Sequence, residues 1–294
     1  MFEIIHCIFV YMKLKIMKYC ASFLFITIAI NAQQYDYQYS IGKFKNASSF
    51  YIAASGIIYV TDSGNDQITS LDTLGNILQT TGGYGWTDAT FDEPVDVFAT
   101  PLNIYVTDKN NHRIQRFDRD LNFISSLCTK DEDNKEARFG YPLSCAVSNQ
   151  GDMYILDSEN QRVIKFDLFG NFIQNFGGFD AGSYMLENPK SLAVNSNNLI
   201  LVLDESGIVI FDSFGNGVGN IEIEEKLVSL RIIFDNLTLN SIDKIFTQNL
   251  RTEDQIFNEI VLDFRDLEIV SSLFYNDKLY VLTSKEILIF STLN

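Results

Sequence analysis

A strand-rich unit recurs along this chain at nearly constant spacing, and that recurrence limits the fold more than any other feature. The copies read GIIYVTDSGNDQITSLDTLGNIL at 56–78, NIYVTDKNNHRIQRFDRDLNFI at 103–124, DMYILDSENQRVIKFDLFGNFI at 152–173 and, shorter, NLILVLDESGIVIFDSFGNGV at 198–218. Their aligned aspartates Asp62, Asp108, Asp157 and Asp204 lie 46, 49 and 47 residues apart. A period near 47 with β-rich content points to a radial array of sheets such as a propeller.

Within each unit a β-rich run, a polar turn, a second run, a further turn and a third run describe a meander of hairpins. Asn76, Asn122, Asn171 and Asn216 hold the last turn, and Gly75, Gly170 and Gly215 precede three of them, with Leu121 in the fourth copy. Such residues suit a backbone position with positive φ. Ahead of these runs lie VDVFAT at 95–100, LSCAV at 143–147 and KSLAV at 190–194, each just after Pro94, Pro142 or Pro189. A proline at a strand's start forfeits no ladder hydrogen bond. Small side chains there suit an innermost strand beside a tapering channel. Four strands per unit follow.

The segments SLRIIFDN, SIDKIFTQN and NEIVLDF between 229 and 264 make a degenerate fifth unit, and SSLFYNDKLYVLTSKEILIFSTLN at 271–294 supplies only three strands. YDYQYSIG at 35–42 resembles fourth-strand text and is expected to complete that last unit, hiding its free edge. The expected fold is all-β: a six-bladed β-propeller of four-stranded antiparallel blades, closed by an N-terminal strand, in a single domain over 33–294.

Lys13, Lys15 and Lys18 precede the uncharged YCASFLFITIAI at 19–30, which ends near Ala32. This is a signal-peptide pattern over 1–32, with an uncleaved anchor as the other reading. Cys20 begins the apolar stretch and so does not sit where a lipidated cysteine would. Removal of 1–32 leaves 19 basic and 37 acidic residues, a net charge of −18 against −16 for the whole chain. That acidity excludes the electrostatic footprint of a nucleic-acid binder. The location expected is exported: periplasm, cell envelope or outside. Cys128 and Cys145 are then either one disulfide or two separate thiols behaving as small hydrophobes.

The recurring YVTDxxNxRIxxFDxxGNFI, a following FGG and a proline before the next strand resemble the NHL-repeat β-propellers, well over 39–218 and poorly over 219–294. The resemblance implies a group of ligand- and protein-binding sensor domains, RNA-binding propellers and a few enzymes, among them amidating lyases and lactonase-type hydrolases. The lyases depend on a histidine-held metal, whereas this chain has two histidines, His6 and His112. His112 occupies a turn position held by Asp66 and Gln161 in sister copies, and reads as a solvated turn residue. Triads and His/Cys zinc sites fail on the same scarcity. An oxygen-only Ca²⁺ site at the channel stays open as the alternative, a divalent-metal hydrolase or lyase, with no ligand motif to locate it.

Two sets of residues remain as candidates. Asp62, Asp108, Asp157 and Asp204, with Asn65, Asn111 and Asn160 three positions on in three copies, are either a ring of cation ligands or structural turn residues. Repetition in every copy favours structure. The variable links at 82–94, 129–142 and 177–189 gather Tyr84, Trp86, Asp88, Arg138, Tyr141, Phe179 and Tyr184 on one face. Aromatic residues mixed with charges on loops suit a binding surface. Phe91 and Phe139 are expected to staple their links to the sheets below, leaving Tyr84, Trp86, Tyr141 and Tyr184 to make contacts. The function expected is a non-enzymatic, monomeric binding or scaffold module for a protein, peptide or small ligand, a basic one by charge, with no cofactor.

Overall fold

The computed structural model describes residues 33–251, 257–262 and 267–292. The address segment expected at 1–32 lies outside them, as does Cys20. Apart from two single 3₁₀ turns, Lys135–Ala137 and Gly182–Tyr184, the regular structure of the described residues is β-strand.

After the N-terminal strand β1 (Gln33–Ile41) come four antiparallel sheets, each of four strands in chain order. The first holds β2 (Ala47–Ile52), β3 (Ile58–Asp62), β4 (Gln67–Leu71) and β5 (Ile77–Gly82). The second holds β6 (Pro94–Ala99), β7 (Ile104–Asp108), β8 (Arg113–Phe117) and β9 (Phe123–Cys128). The third holds β10 (Pro142–Val147), β11 (Met153–Asp157), β12 (Arg162–Phe166) and β13 (Phe172–Phe176). The fourth holds β14 (Ser191–Val194), β15 (Ile200–Asp204), β16 (Gly207–Phe211) and β17 (Gly217–Glu222).

The remaining strands are β18 (Ser229–Ile233), β19 (Asn236–Asn240), β20 (Ile245–Asn249), β21 (Asn258–Leu262), β22 (Ser271–Tyr275), β23 (Lys278–Leu282) and β24 (Ile287–Thr292). They form an eight-stranded sheet with β1, in the order β18-β19-β20-β21-β1-β24-β23-β22. β1 runs antiparallel to β24 from Tyr35↔Thr292 to Ile41↔Ile287, so the expected pairing of the first and last described strands is present. On its other side it meets β21 in parallel over three residue pairs.

Burial explains why the second strand of each unit is the most legible. All five residues of IYVTD are buried in both β3 and β7, because packed sheets cover both of their faces. In β5, by contrast, five of six residues are exposed. Core clusters bridge one sheet to the next: Tyr59 and Ile68 of the first sheet pack with Val97, Val106 and Phe117 of the second. A further cluster joins Phe50, Val60 and Leu71 of the first sheet to Leu273, Tyr280 and Ile289 of the eight-stranded sheet, so the packing returns to its start.

Pro94 and Pro142 are the first residues of β6 and β10. Each opens a bulge that ends at Asp96 or Ser144, and a third bulge runs from Ala47 to Ser49 in β2. Bulges re-aim side chains, and the residues that follow these three meet at the axis, as described below. Cys128 is exposed and Cys145 buried, and both are free thiols. Burial pushes the Cys145 thiol up to about 12.

Candidate binding site

Each repeated aspartate ends its sheet's second strand, and each ties that strand to the link leading into the same sheet. Asp62 accepts hydrogen bonds from the backbone N–H groups of Lys45 and Asn46, both at 2.8 Å, from Gly64 N–H and from Asn65 Nδ2. Asp108, with no exposed surface, accepts from Asp92 N–H at 2.8 Å, Asn111 Nδ2 at 2.9 Å, Arg113 Nε at 2.8 Å and Gln115 Nε2 at 3.2 Å. Burial pushes the Asp108 carboxyl upward, and these donors oppose that shift. Asp157 accepts from Gly140 N–H, Asn160 Nδ2 and Arg162 Nε. Asp204 accepts from the N–H groups of Glu187 and Asn188. Hydrogen bonds to a charged acceptor stabilise by about 1.5–3 kcal/mol each.

The last residue of the same turn faces the next sheet. Asp66, His112 and Gln161 all adopt positive φ, between 50° and 52°. Asp66 accepts from Glu93 N–H at 3.0 Å, His112 Nδ1 accepts from Tyr141 N–H at 3.0 Å, and Gln161 Nε2 donates to Glu187 C=O at 2.7 Å. His112 is therefore half-buried and engaged, where the sequence suggested a solvated residue. Its imidazole also meets the Tyr141 ring at 4.2 Å. Burial first, then Lys130, holds its pKa below 6.5, consistent with an imidazole whose Nδ1 must stay unprotonated to accept.

These contacts gather the links and the turns between second and third strands on one face. Tyr84 and Trp86 are 66% and 70% exposed, with their rings edge-on at 6.0 Å. Asp88 beside them is also exposed. Beneath them, Arg113 donates to the carbonyls of Trp86, Thr87 and Thr90 at 2.9–3.0 Å, so the exposed rings sit on a fixed backbone. Tyr141 is exposed, next to His112, while Arg138 is half-buried with Nε donating to Glu132 C=O. Phe91 and Phe139 are buried, as expected of staples, whereas Phe179 stands 94% exposed. Tyr184 differs from expectation: it is half-buried, packed 6.5 Å from the Phe211 ring and over Gly217, where a side chain would have no room. Only because residue 217 is glycine can that ring lie down on the sheet.

A second feature lies on the axis and was missed from the sequence. Two residues after Pro94, Pro142 and Pro189 stand Asp96, Ser144 and Ser191, and the matching places of the other innermost strands carry Ser49, Ser229 and Ser271, all buried. Alignment on Pro94, Pro142 and Pro189 brings Asp96, Ser144 and Ser191 into register, a signal hidden by the small residues common to these strands. Asp96 accepts from the hydroxyls of Ser49 at 2.8 Å and Ser144 at 2.6 Å, and pairs with Arg231 Nη2 at 2.7 Å. Arg231 also donates to Ser49 Oγ from Nη2 and to Ser271 Oγ from Nε. An 80 Å³ cavity opens above this network, lined from β2, β6, β10, β14 and β18 and by Lys190, Val228 and Val270, which immediately precede β14, β18 and β22.

The cavity's donor set does not fit Ca²⁺, which takes six to eight oxygens. Among the described residues Asp96 is the sole carboxylate in its lining, its oxygens are committed, and Lys190 and Arg231 would repel a cation. Among the described residues no three His, Cys, Asp or Glu side chains converge as metal ligands.

The chain matches the family model for the NHL repeat over residues 91–117, which run from the Phe91 staple through β8. It is 30% identical over 142 residues to the protein brain tumor of Drosophila melanogaster, a match covering 46% of this chain and 13% of that protein's length. Among solved structures, virginiamycin B lyase from Staphylococcus aureus superposes with a TM-score of 0.63 at 12% identity, covering 88% of this chain and all of that one. A protein assigned as a gluconolactonase superposes at 0.66 with 12% identity, covering 88% and 92%. At such identities the two structures speak for the fold alone. The chain thus carries an NHL repeat over residues 91–117, and the repeats in register, the packing of four-stranded sheets and these matches together support an NHL-repeat β-propeller.

Proposed function

We propose that this propeller is an exported, non-enzymatic binding or scaffold module that captures a protein or peptide on the face carrying the links. The observation that carries the reading is the pair Tyr84 and Trp86, exposed yet supported from below by Arg113. Exposed aromatic residues on a rigid backbone bind with little ordering cost. A net charge of −16 favours a basic partner. Export rests on the lysines and apolar run within 13–30. We read the architecture as six blades, with the eight-stranded sheet divided at the short β1–β21 seam into two groups of four.

Trp86 is the chain's one tryptophan, so its own fluorescence reports the site. Titration with Lys- and Arg-rich peptides is expected to shift its emission, and pull-down from an envelope fraction to yield a partner lost with Tyr84→Ser/Trp86→Ser at unchanged melting temperature. Full capture by that double variant would sink the reading. The alternative, a divalent-metal hydrolase or lyase, shares its fold with a lyase and a gluconolactonase and would need an ion site other than the axial cavity. It requires a melting temperature that rises with Ca²⁺ and falls with EDTA.

A further inference from the structure

We infer that the axial cavity is a binding site for a carboxylate. It sits where the innermost strands begin, on the same face as the links but apart from the Tyr84–Trp86 pair, so it does not depend on that pair binding anything. Three charged side chains line it: Asp96, Lys190 and Arg231. Asp96 and Arg231 neutralise one another at 2.7 Å, which leaves the Lys190 ammonium as surplus charge in a strongly acidic protein.

The hydrogen-bond inventory points the same way. Lys190 Nζ spends one of three donors, on Leu227 C=O at 2.9 Å. Ser191 Oγ accepts from Leu230 N–H at 3.1 Å and finds no acceptor for its own proton among the described residues. Ser229 and Ser271 share a single hydrogen bond at 3.0 Å, so the pair leaves one hydroxyl proton over. Arg231 directs Nε and Nη2 to protein oxygens, and its Nη1 has none among the described residues. A small concave site with donors in excess of acceptors and one surplus positive charge is complementary to an anion.

Size and charge select which anion. The 80 Å³ of free space equals two to three waters at roughly 30 Å³ each, enough for one small planar group. A monoanion balances the surplus charge, while a phosphate dianion would leave a buried excess of negative charge. Carboxylate chemistry comes either from a small free acid or from the C-terminus of a peptide, and the site is reached from the link face by either.

The test uses the full chain with acetate as probe and chloride as control at equal ionic strength, read by melting temperature. Acetate is expected to raise the melting temperature saturably and beyond chloride. Lys190→Gln and Ser191→Ala are each expected to weaken acetate by about tenfold. In parallel, triglycine with a free C-terminus is compared with its amidated form. A free form that binds more tightly than acetate, with the amidated form silent, assigns a peptide C-terminus; equal or weaker binding than acetate assigns a free acid. The inference is overturned if acetate acts no more than chloride, if phosphate outperforms acetate, or if both variants respond like the parent. Should either variant fail to fold, line broadening of ¹³C-labelled acetate by the parent chain decides, sharp lines overturning the site. A Tyr84→Ser/Trp86→Ser chain must keep the acetate response, which separates this result from the fate of the aromatic pair.

Discussion

Asp108 concentrates four hydrogen bonds on one carboxylate, and three of its donors are themselves committed elsewhere. Arg113 also holds the carbonyls beneath Trp86, Asn111 donates to Gly85 C=O, and Gln115 to Thr90 C=O. Each bond to the charged carboxylate contributes about 1.5–3 kcal/mol, and truncating Asp108 also strands a buried guanidinium at 2.8 Å from where its partner stood. The expected cost of Asp108→Ala is therefore about 3–5 kcal/mol. In a domain of this size each kcal/mol lowers the melting temperature by roughly 2–4 °C. Trp86 emission should change as well, since its loop loses its support. An unchanged melting curve together with unchanged emission would show that the carboxylate holds neither link nor loop.

The hairpins between third and fourth strands show what one element owes to local sequence. Asp72, Asp118, Asp167 and Asp212 each accept from two backbone N–H groups, two and four residues on, and from the Nδ2 of the terminal asparagine. Bonding to that asparagine holds all four carboxyls below their ordinary range. The glycine between adopts φ of 81° to 90°, and Leu121 fits the same slot at 59° because its buried side chain repays the conformation through packing. Gly170→Ala meets open space, so it should cost only the backbone term of about 1 kcal/mol. At Gly215 a Cβ would fall 2.8 Å from the Phe176 ring, so Gly215→Ala is expected to cost more. Urea unfolding of both variants checks this, and equal costs would mean that φ alone sets the penalty. These hairpins were legible because asparagine, glycine and strand lie within ten residues of one another, although the capping aspartates, equally regular, were passed over. Tyr184 was misread because its burial depends on Gly217, which lies 33 residues away in another strand.

At the scale of the whole molecule the decisive contacts link residues that no local pattern connects. Arg231 of β18 reaches Asp96 of β6, 135 residues away, and Ser49 of β2, 182 residues away. Both charges are unique to their copies, since serine holds the position of Asp96 elsewhere in the ring. Self-similarity could reveal the serines but not the ion pair, which appears only once the sheets stand around a common axis. Removing one partner of such a buried pair costs about 3–5 kcal/mol, because the other charge is left uncompensated.

Closure at the chain ends is the other such contact, and it was legible because the last unit visibly lacked a strand. β1 brings Tyr35 into the cluster with Leu288 and Phe290, and Ile41 into the cluster that joins β24 to the first sheet. Deletion of 33–41 would remove both and leave β24 with an unpaired row of N–H and C=O groups. The shortened chain is expected to melt lower and to associate on size-exclusion chromatography through that edge. A synthetic peptide QQYDYQYSIG added in trans should restore the monomer, because the β24 register from Tyr35 to Ile41 is fixed by side chains the peptide still carries. A deletion variant that stays monomeric with the parent's melting temperature would mean that the ring is held by sheet packing alone. Rescue by a scrambled peptide of the same composition would mean that the edge selects strands without register.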